Sequence, residues 1–287
     1  METQTIKKIR YFSDFCSSQH CKEKVEFICE SHLIAEYGQD FVLTDQEDYT
    51  HAIILNCAMP VLSLPRENVI GFAFEPPDFL HISPRFIQYA KNTIGNYYIG
   101  EKGNLPAPFQ TGYAFMWHIL PPSIVPKKTN LCSMMVSDKK HTRGHRYRHE
   151  LAQHILSTNL PIDIYGRGCR FFHNKDSRIK GEFIEADSTM YEPYLFHIAI
   201  ENTSYSDYIS EKVLNPLLQG TTPIYWGAKN IGQYFPDCVY EMSGNLIGDL
   251  SLIYSILREP LKNKKNINIS LIKEKTNILK NIDTLFS

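Results

Sequence analysis

Three stretches combine reactive residue types with a local pattern that would present them. The first runs Leu195-Phe-His-Ile-Ala-Ile-Glu201-Asn202-Thr-Ser-Tyr-Ser-Asp207-Tyr208-Ile-Ser-Glu211-Lys212. An apolar strand ends in a polar turn, and a helix is predicted to begin near Asp207 or Tyr208. Asp207 is the expected N-cap, because its carboxylate can accept a free N–H of the first turn. This arrangement aims backbone donors and the positive end of a helix at the strand end, which suits an anion. Lys212 would sit in the first turn, where a cation is disfavoured by about 0.3–1 kcal/mol. A bound diphosphate would reverse that sign; a solvated Glu211–Lys212 surface pair is the alternative. The second stretch, Lys139-Lys-His141-Thr-Arg143-Gly-His145-Arg146-Tyr-Arg-His149, masses cations at a helix start against the dipole preference, tolerable if an anion binds there. His141, His145 and His149 recur every fourth residue, which allows metal ligation; no Cys or carboxylate completes the set, and a solvated basic face explains it equally. In the third, Asn68-Val-Ile-Gly-Phe-Ala-Phe-Glu75-Pro76-Pro77, an apolar strand delivers a carboxylate to a Pro-Pro turn, with Asp78 next to it. There Glu75 either serves chemistry or caps the following segment.

Short apolar runs alternate with helix-length amphipathic stretches, which calls for parallel sheets covered by helices. Strands are expected at 6–12, 51–57, 68–74, 131–136, 162–165, 195–200 and 223–226. Helices are expected at about 22–37, 143–156 and 208–219. Pro121-Pro-Ser-Ile-Val-Pro126-Lys-Lys breaks the pattern and reads as a linker, since proline continues neither a helix nor a central strand. The expected organisation is therefore an α/β protein with a first domain over 1–124 and a second over 125–260. A C-terminal amphipathic helix over 261–287 would follow, with Leu271, Ile278, Leu279, Ile282, Leu285 and Phe286 on one face. That helix would either pack back on the domains or make a peripheral membrane contact. Ligands of open α/β sheets bind beyond the carboxyl ends of the strands, so a two-domain version would hold its site in a cleft.

The segments Ile198 to Ser204, Asp207 to Lys212 and Gly220-Thr-Thr-Pro-Ile-Tyr-Trp-Gly227 closely resemble the donor-binding region of the α1,3/α1,4-fucosyltransferases, glycosyltransferase family 10. The stretch Leu131 to Ser137 with the helix from Arg143, and the turn Pro161-Ile-Asp-Ile-Tyr-Gly-Arg167-Gly168, resemble further motifs of that family in the same order. The likeness is dense over about 131–235 and thin elsewhere. It implies a GT-B fold, two Rossmann-like domains facing each other across a cleft. It also implies an inverting transfer of L-fucose from GDP-fucose to a GlcNAc- or Glc-containing oligosaccharide or glycoconjugate, with an α1,3-type linkage. Under this resemblance Lys212 pairs with the GDP diphosphate, Glu211 accepts ribose hydroxyls, and Tyr208 lines the nucleotide pocket. Glu201 and Asn202 face fucose or the diphosphate, and Arg167 joins the donor set. Arg146 best matches the family's arginine, with Arg143 second. Glu75 matches the proposed base, which would remove the acceptor proton and typically contributes about 10²–10⁴-fold; Asp78 is the reserve. Pro216 departs from the family pattern and should kink the helix after Lys212. A GT-B enzyme using another nucleotide sugar, or a silent nucleotide- or glycan-binding module, are the other readings.

The 287 residues carry 30 Lys and Arg against 31 Asp and Glu, a net charge of −1 that argues against a nucleic-acid binder. Hydrophobic residues at 43% and charged residues at 21% suit a folded globular chain rather than a disordered one. Neither a secretory signal nor a bilayer-length apolar run is present in the sequence, and the expected location is cytoplasmic. Seven scattered cysteines without a Cys-x-x-Cys pair predict reduced thiols rather than a zinc site or a disulfide framework. No cofactor beyond the donor substrate is expected. No metal is expected either, because the chain lacks an Asp-x-Asp motif.

Overall fold

A computed structural model describes residues 6–29, 41–172, 175–183 and 188–286. The chain divides into two compact units: Met1–Trp117 with Tyr205–Tyr208 and Glu274–Ser287, and His118–Ser204 with Ile209–Lys273. The division falls just before the Pro-rich segment, four residues ahead of Pro121. That segment is tied to the second unit through Lys128, whose ammonium donates to Glu192 O, Gln219 O and Thr221 Oγ1.

The first unit holds a sheet of six parallel strands: β1 (Lys7–Ser13), β2 (Phe41–Leu43), β3 (His51–Leu55), β4 (Val69–Phe72), β5 (Asn96–Ile99) and β6 (Phe109–Thr111), in the order β2-β1-β3-β4-β5-β6. Ala52 to Leu55 and all of β4 are buried, the continuous apolar signature of central parallel strands. Gly71 lets the ring of Tyr97 lie against β4; a Cβ there would stand 2.2 Å from Tyr97 Cδ2. The helices are α1 (Ser18–Ile28), α2 (Pro77–Leu80) and α3 (Pro84–Thr93). Ser17 and Ser83 cap α1 and α3 through their side-chain oxygens. The helix expected over 22–37 thus starts four residues earlier, and its stretch from 30 onward lies outside the described residues.

The second unit repeats the architecture with β7 (Asn130–Met135), β8 (Ile162–Tyr165), β9 (Ile179–Gly181), β10 (Tyr194–Ile200), β11 (Thr222–Trp226) and β12 (Tyr240–Glu241), in the order β12-β11-β10-β7-β8-β9, all parallel. Its helices are α4 (Arg143–Leu156), α5 (Glu211–Leu218), α6 (Ile231–Tyr234) and α7 (Leu246–Arg258). From β7 the chain winds to one side through β8 and β9, and from β10 to the other through β11 and β12. The switch point, where a doubly wound sheet offers its crevice, is therefore at the carboxyl ends of β7 and β10.

The C-terminal stretch is not one amphipathic helix. It forms three short ones, α8 (Pro260–Asn263), α9 (Ile269–Thr276) and α10 (Ile282–Leu285). Asparagines interrupt it: Asn277 Oδ1 accepts the N–H groups of Leu279 and Lys280, and Asn281 Nδ2 donates to Asn277 O, local bonds that compete with a continuous helix. Ile278, Leu279, Ile282 and Leu285 are buried by the protein itself. Phe286 packs edge-on against His51, and Lys7 pairs with Asp283 at 2.6 Å. The apolar face that suggested a membrane contact is thus largely spent on packing, with Leu271 left exposed.

Candidate functional site

At the end of β10 the backbone turns into a loop closed by buried charge. Glu201, 0% exposed, donates its N–H to Trp226 O, and its side chain reaches forward along the chain. Oε1 accepts Ser210 N–H at 2.9 Å and Oε2 accepts Ser210 Oγ–H at 2.6 Å. Ser210, not Asp207, is the N-cap of α5, its hydroxyl accepting Lys212 N–H. Asp207 instead holds a left-handed backbone, φ 62°, which carries the chain through the loop before the helix begins. Lys212 Nζ stands 2.8 Å from Glu211 Oε1, 3.7 Å from Glu201 Oε2 and 3.2 Å from Ser210 Oγ, its side chain 12% exposed. The Glu211–Lys212 pair is therefore not a solvated surface pair on the lysine side. Burial pushes the Lys212 ammonium down, but the two carboxylates outweigh it and raise it. Burial likewise pushes Glu211 up and Lys212 more than compensates, holding that carboxyl below its usual range. Glu201, wholly desolvated, is raised despite Lys212. Pro216 lies inside α5, which runs through to Leu218 before ending.

The other wall is α4. Arg148 is buried and spans the end of β10: Nε donates to Ile200 O at 2.9 Å and Nη2 to Asn202 Oδ1 at 2.7 Å. Gly144 is the close-approach point, its N–H donating to Asn202 O; a Cβ there would lie 1.8 Å from Glu201 O. Thr142 caps α4 in a capping box with His145, whose Nδ1 accepts from the Thr142 backbone. Burial, with Arg148, Lys139 and Lys212 nearby, holds His145 down to about 3, so its imidazole is neutral at physiological pH.

The expected donor residues separate. The structure brings together Glu201, Asn202, Glu211 and Lys212. Arg146 does not join them: it is exposed, and its guanidinium donates to His141 O at 2.9 Å on its own helix entry. Arg143, the second choice, lies over the Trp226 ring, 5.3 Å from its centroid. The arginine at the cluster is Arg148, two residues from Arg146 and on the opposite face of α4. Arg167 is exposed after β8, at the start of a 3-10 turn over Arg167–Phe171. Glu201 does not face an open site either; its oxygens are spent on Ser210 and Tyr225. The basic stretch is only partly a solvated face, since His145, Arg148 and His149 are buried while His141, Arg143 and Arg146 are exposed. No cluster of three or more metal-ligating side chains occurs among the described residues.

In the first unit, Glu75 lies three residues past β4, half-buried beside buried Pro76. Its approach is fixed by Asn56, at the end of β3 in a left-handed conformation, φ 51°. Asn56 N–H donates to Phe72 O, and its Oδ1 accepts Phe74 N–H at 2.8 Å. Tyr97 Oη–H closes the knot on Asn56 O at 2.7 Å. Phe74 packs against Phe15 and Trp117. Tyr208, expected in a nucleotide pocket, belongs to this unit; it is buried against Gly100 with Oη 3.5 Å from Glu75 Oε2. Tyr205 donates its hydroxyl to Asp78.

The family model described as glycosyltransferase family 10 (fucosyltransferase), C-terminal, matches residues 125–241, which span β7 to β12. Over those residues, less than half of the chain, the sequence is similar to the C-terminal domain of family 10 fucosyltransferases. Relatives agree: a protein of Acanthamoeba polyphaga mimivirus named as a candidate fucosyltransferase is 29% identical over 180 residues, 56% of this chain and 28% of that one. GDP-fucose protein O-fucosyltransferase 3 of Danio rerio is 38% identical over 96 residues, 32% of this chain and 19% of that one. This chain thus spans less than a third of the length of either relative. An α1,3-fucosyltransferase crystal structure with GDP covers 100% of this chain and 92% of that chain at TM-score 0.55 and 13% identity, a likeness of fold. The architecture is that of the GT-B glycosyltransferases, two parallel-sheet α/β units.

Within residues 125–241, sequence reasoning missed Arg148 and the need for Gly144. The signal was available: Tyr147, Leu151, Ala152 and Ile155 define the buried face of α4, and 144 and 148 fall on it at helical spacing. Asn56 gave no such signal, because a polar residue after an apolar strand reads as an ordinary turn.

Proposed function

We propose that the protein transfers L-fucose from GDP-fucose to a hydroxyl of a glycan acceptor with inversion at the sugar carbon. The observation that carries this reading is the buried Glu201–Ser210–Lys212–Glu211 arrangement at the β7/β10 switch point of the second unit. Lys212, raised and desolvated, supplies the compact cation that suits a leaving diphosphate. Glu211, ionised and more exposed, accepts ribose hydroxyls. Glu201 acts as a positioning residue, holding the start of α5. Glu75 takes the acceptor proton as the acceptor oxygen bonds to the fucose C1 and the C1–O bond to GDP breaks. Similarity to solved α1,3-fucosyltransferases favours an α1,3 linkage.

A donor panel with a glycan acceptor array tests the reading. GDP-fucose alone should be consumed, with product on a GlcNAc- or Glc-containing acceptor. Turnover of a UDP-sugar instead, or GDP binding with no turnover of any donor, overturns it. A second reading, transfer to Ser or Thr hydroxyls of a polypeptide, is favoured by the 38% identity to a protein O-fucosyltransferase. Unfolded and folded polypeptide acceptors in the same panel separate the two.

A further inference from the structure

Cys16 and Cys21 lie outside every motif above, yet their sulfur atoms stand 3.1 Å apart at the entry to α1. Both are free thiols, Cys21 fully buried and Cys16 partly exposed. About 1 Å of further approach separates the pair from a disulfide bond, whose S–S length is about 2.05 Å. The segment is firmly placed. Ser17 caps α1 between the two cysteines, and Asp14 accepts Cys57 N–H at 3.0 Å. The neighbours on the chain, Phe15 and His20, both meet the edge of Trp117, at 5.5 and 6.0 Å between ring centroids. Two thiols are thus held at near-bonding distance, one reachable from solvent and one beneath it, with an indole packed on the residue beside each.

We infer that Cys16 and Cys21 form a reversible dithiol–disulfide site whose co-reactant is a small-molecule disulfide such as oxidised glutathione. The exposed Cys16 thiolate attacks one sulfur of that disulfide, breaking its S–S bond and expelling one thiolate. Cys21 then loses its proton and attacks Cys16 Sγ, expelling the second thiolate. Two electrons and two protons leave the protein, and the co-reactant departs as two thiols. Oxidation draws Cys16 toward α1 and shifts Phe15 and His20 against Trp117.

Trypsin gives a direct readout, because Tyr11–Lys22 is one peptide holding both cysteines and no other. The intact chain is treated with oxidised glutathione, alkylated and digested. The expected result is a Tyr11–Lys22 peptide lighter by two hydrogens and unalkylated, formed before any other cysteine reacts and reversed by dithiothreitol. Tryptophan emission should change in parallel in the wild type but not in Cys16→Ser, whose substitution falls at the more exposed thiol and spares the core. A peptide that stops at one glutathione adduct, a cross-link to the separate Cys29 peptide, or alkylation of both thiols after treatment overturns the proposal.

Discussion

At the end of β10, Glu201, Arg148 and Lys212 are buried among one another with Glu211 at their edge; past the end of β4, Glu75 is half-buried, with the Tyr208 hydroxyl 3.5 Å from its Oε2. Both sites follow a parallel strand, and both are positioned by a residue of the neighbouring element, Arg148 in one and Asn56 in the other. The difference lies in how each carboxylate is maintained. Glu201 has no water to solvate it and depends on Ser210 and Lys212, so its charge and the local fold are one problem. Glu75 is only half-buried, so solvent shares in solvating its carboxylate. One region is thus built from mutually buried charge, the other around a carboxylate that solvent still reaches.

The comparison breaks most readily at Glu201. Glu201→Ala should destabilise the protein by about 3–5 kcal/mol, because it leaves Lys212 and Ser210 without their buried partner; urea unfolding measures it, and a loss below about 1 kcal/mol would place the cluster among ordinary surface pairs. Glu75→Gln should do the reverse. Fucosyl transfer should fall by about 10²–10⁴-fold while unfolding shifts by less than about 0.5 kcal/mol and GDP affinity stays within twofold. Retained transfer in this variant removes Glu75 as base.

Acid should also distinguish the two units. Burial holds His145 and His197, both in the second unit, down to about 3 in the folded protein. Below the ordinary value of 6.5 the unfolded chain takes up protons that the folded one refuses. Stability therefore falls as pH drops toward 3, by about 1.4 kcal/mol per pH unit for each histidine. Hydrogen exchange at about pH 4.5 should show protection lost first over β7 to β12; earlier loss over β1 to β6 contradicts this. The arginines give a smaller and sharper contrast. Arg148→Ala should weaken GDP binding at least tenfold, since Asn202 and Ile200 O lose their donor, whereas Arg146→Ala should leave it within twofold. Smallest of all, EDTA should leave transfer unchanged if cationic side chains alone neutralise the diphosphate; a loss restored by Mn²⁺ would revise that account.

Much of this was legible in the amino-acid order. Short apolar runs placed β7, β8, β10 and β11 to within a residue or two, and helical spacing placed α4 at its observed ends. The strand–turn–helix pattern from Glu201 to Lys212 marked a candidate anion site before any coordinates. Local pattern decides such features because backbone hydrogen bonding and one-sided burial act over a few residues. Which arginine faces the cluster, whether Ser210 or Asp207 caps α5, and which unit holds Tyr208 were decided only in three dimensions. Each depends on what a strand or helix distant in sequence leaves room for, as Glu201 O does at Gly144. The C-terminal stretch shows the same division: its apolar period was visible, but its breaks at Asn277 and Asn281 and its burial followed from side-chain bonds and packing that periodicity does not encode.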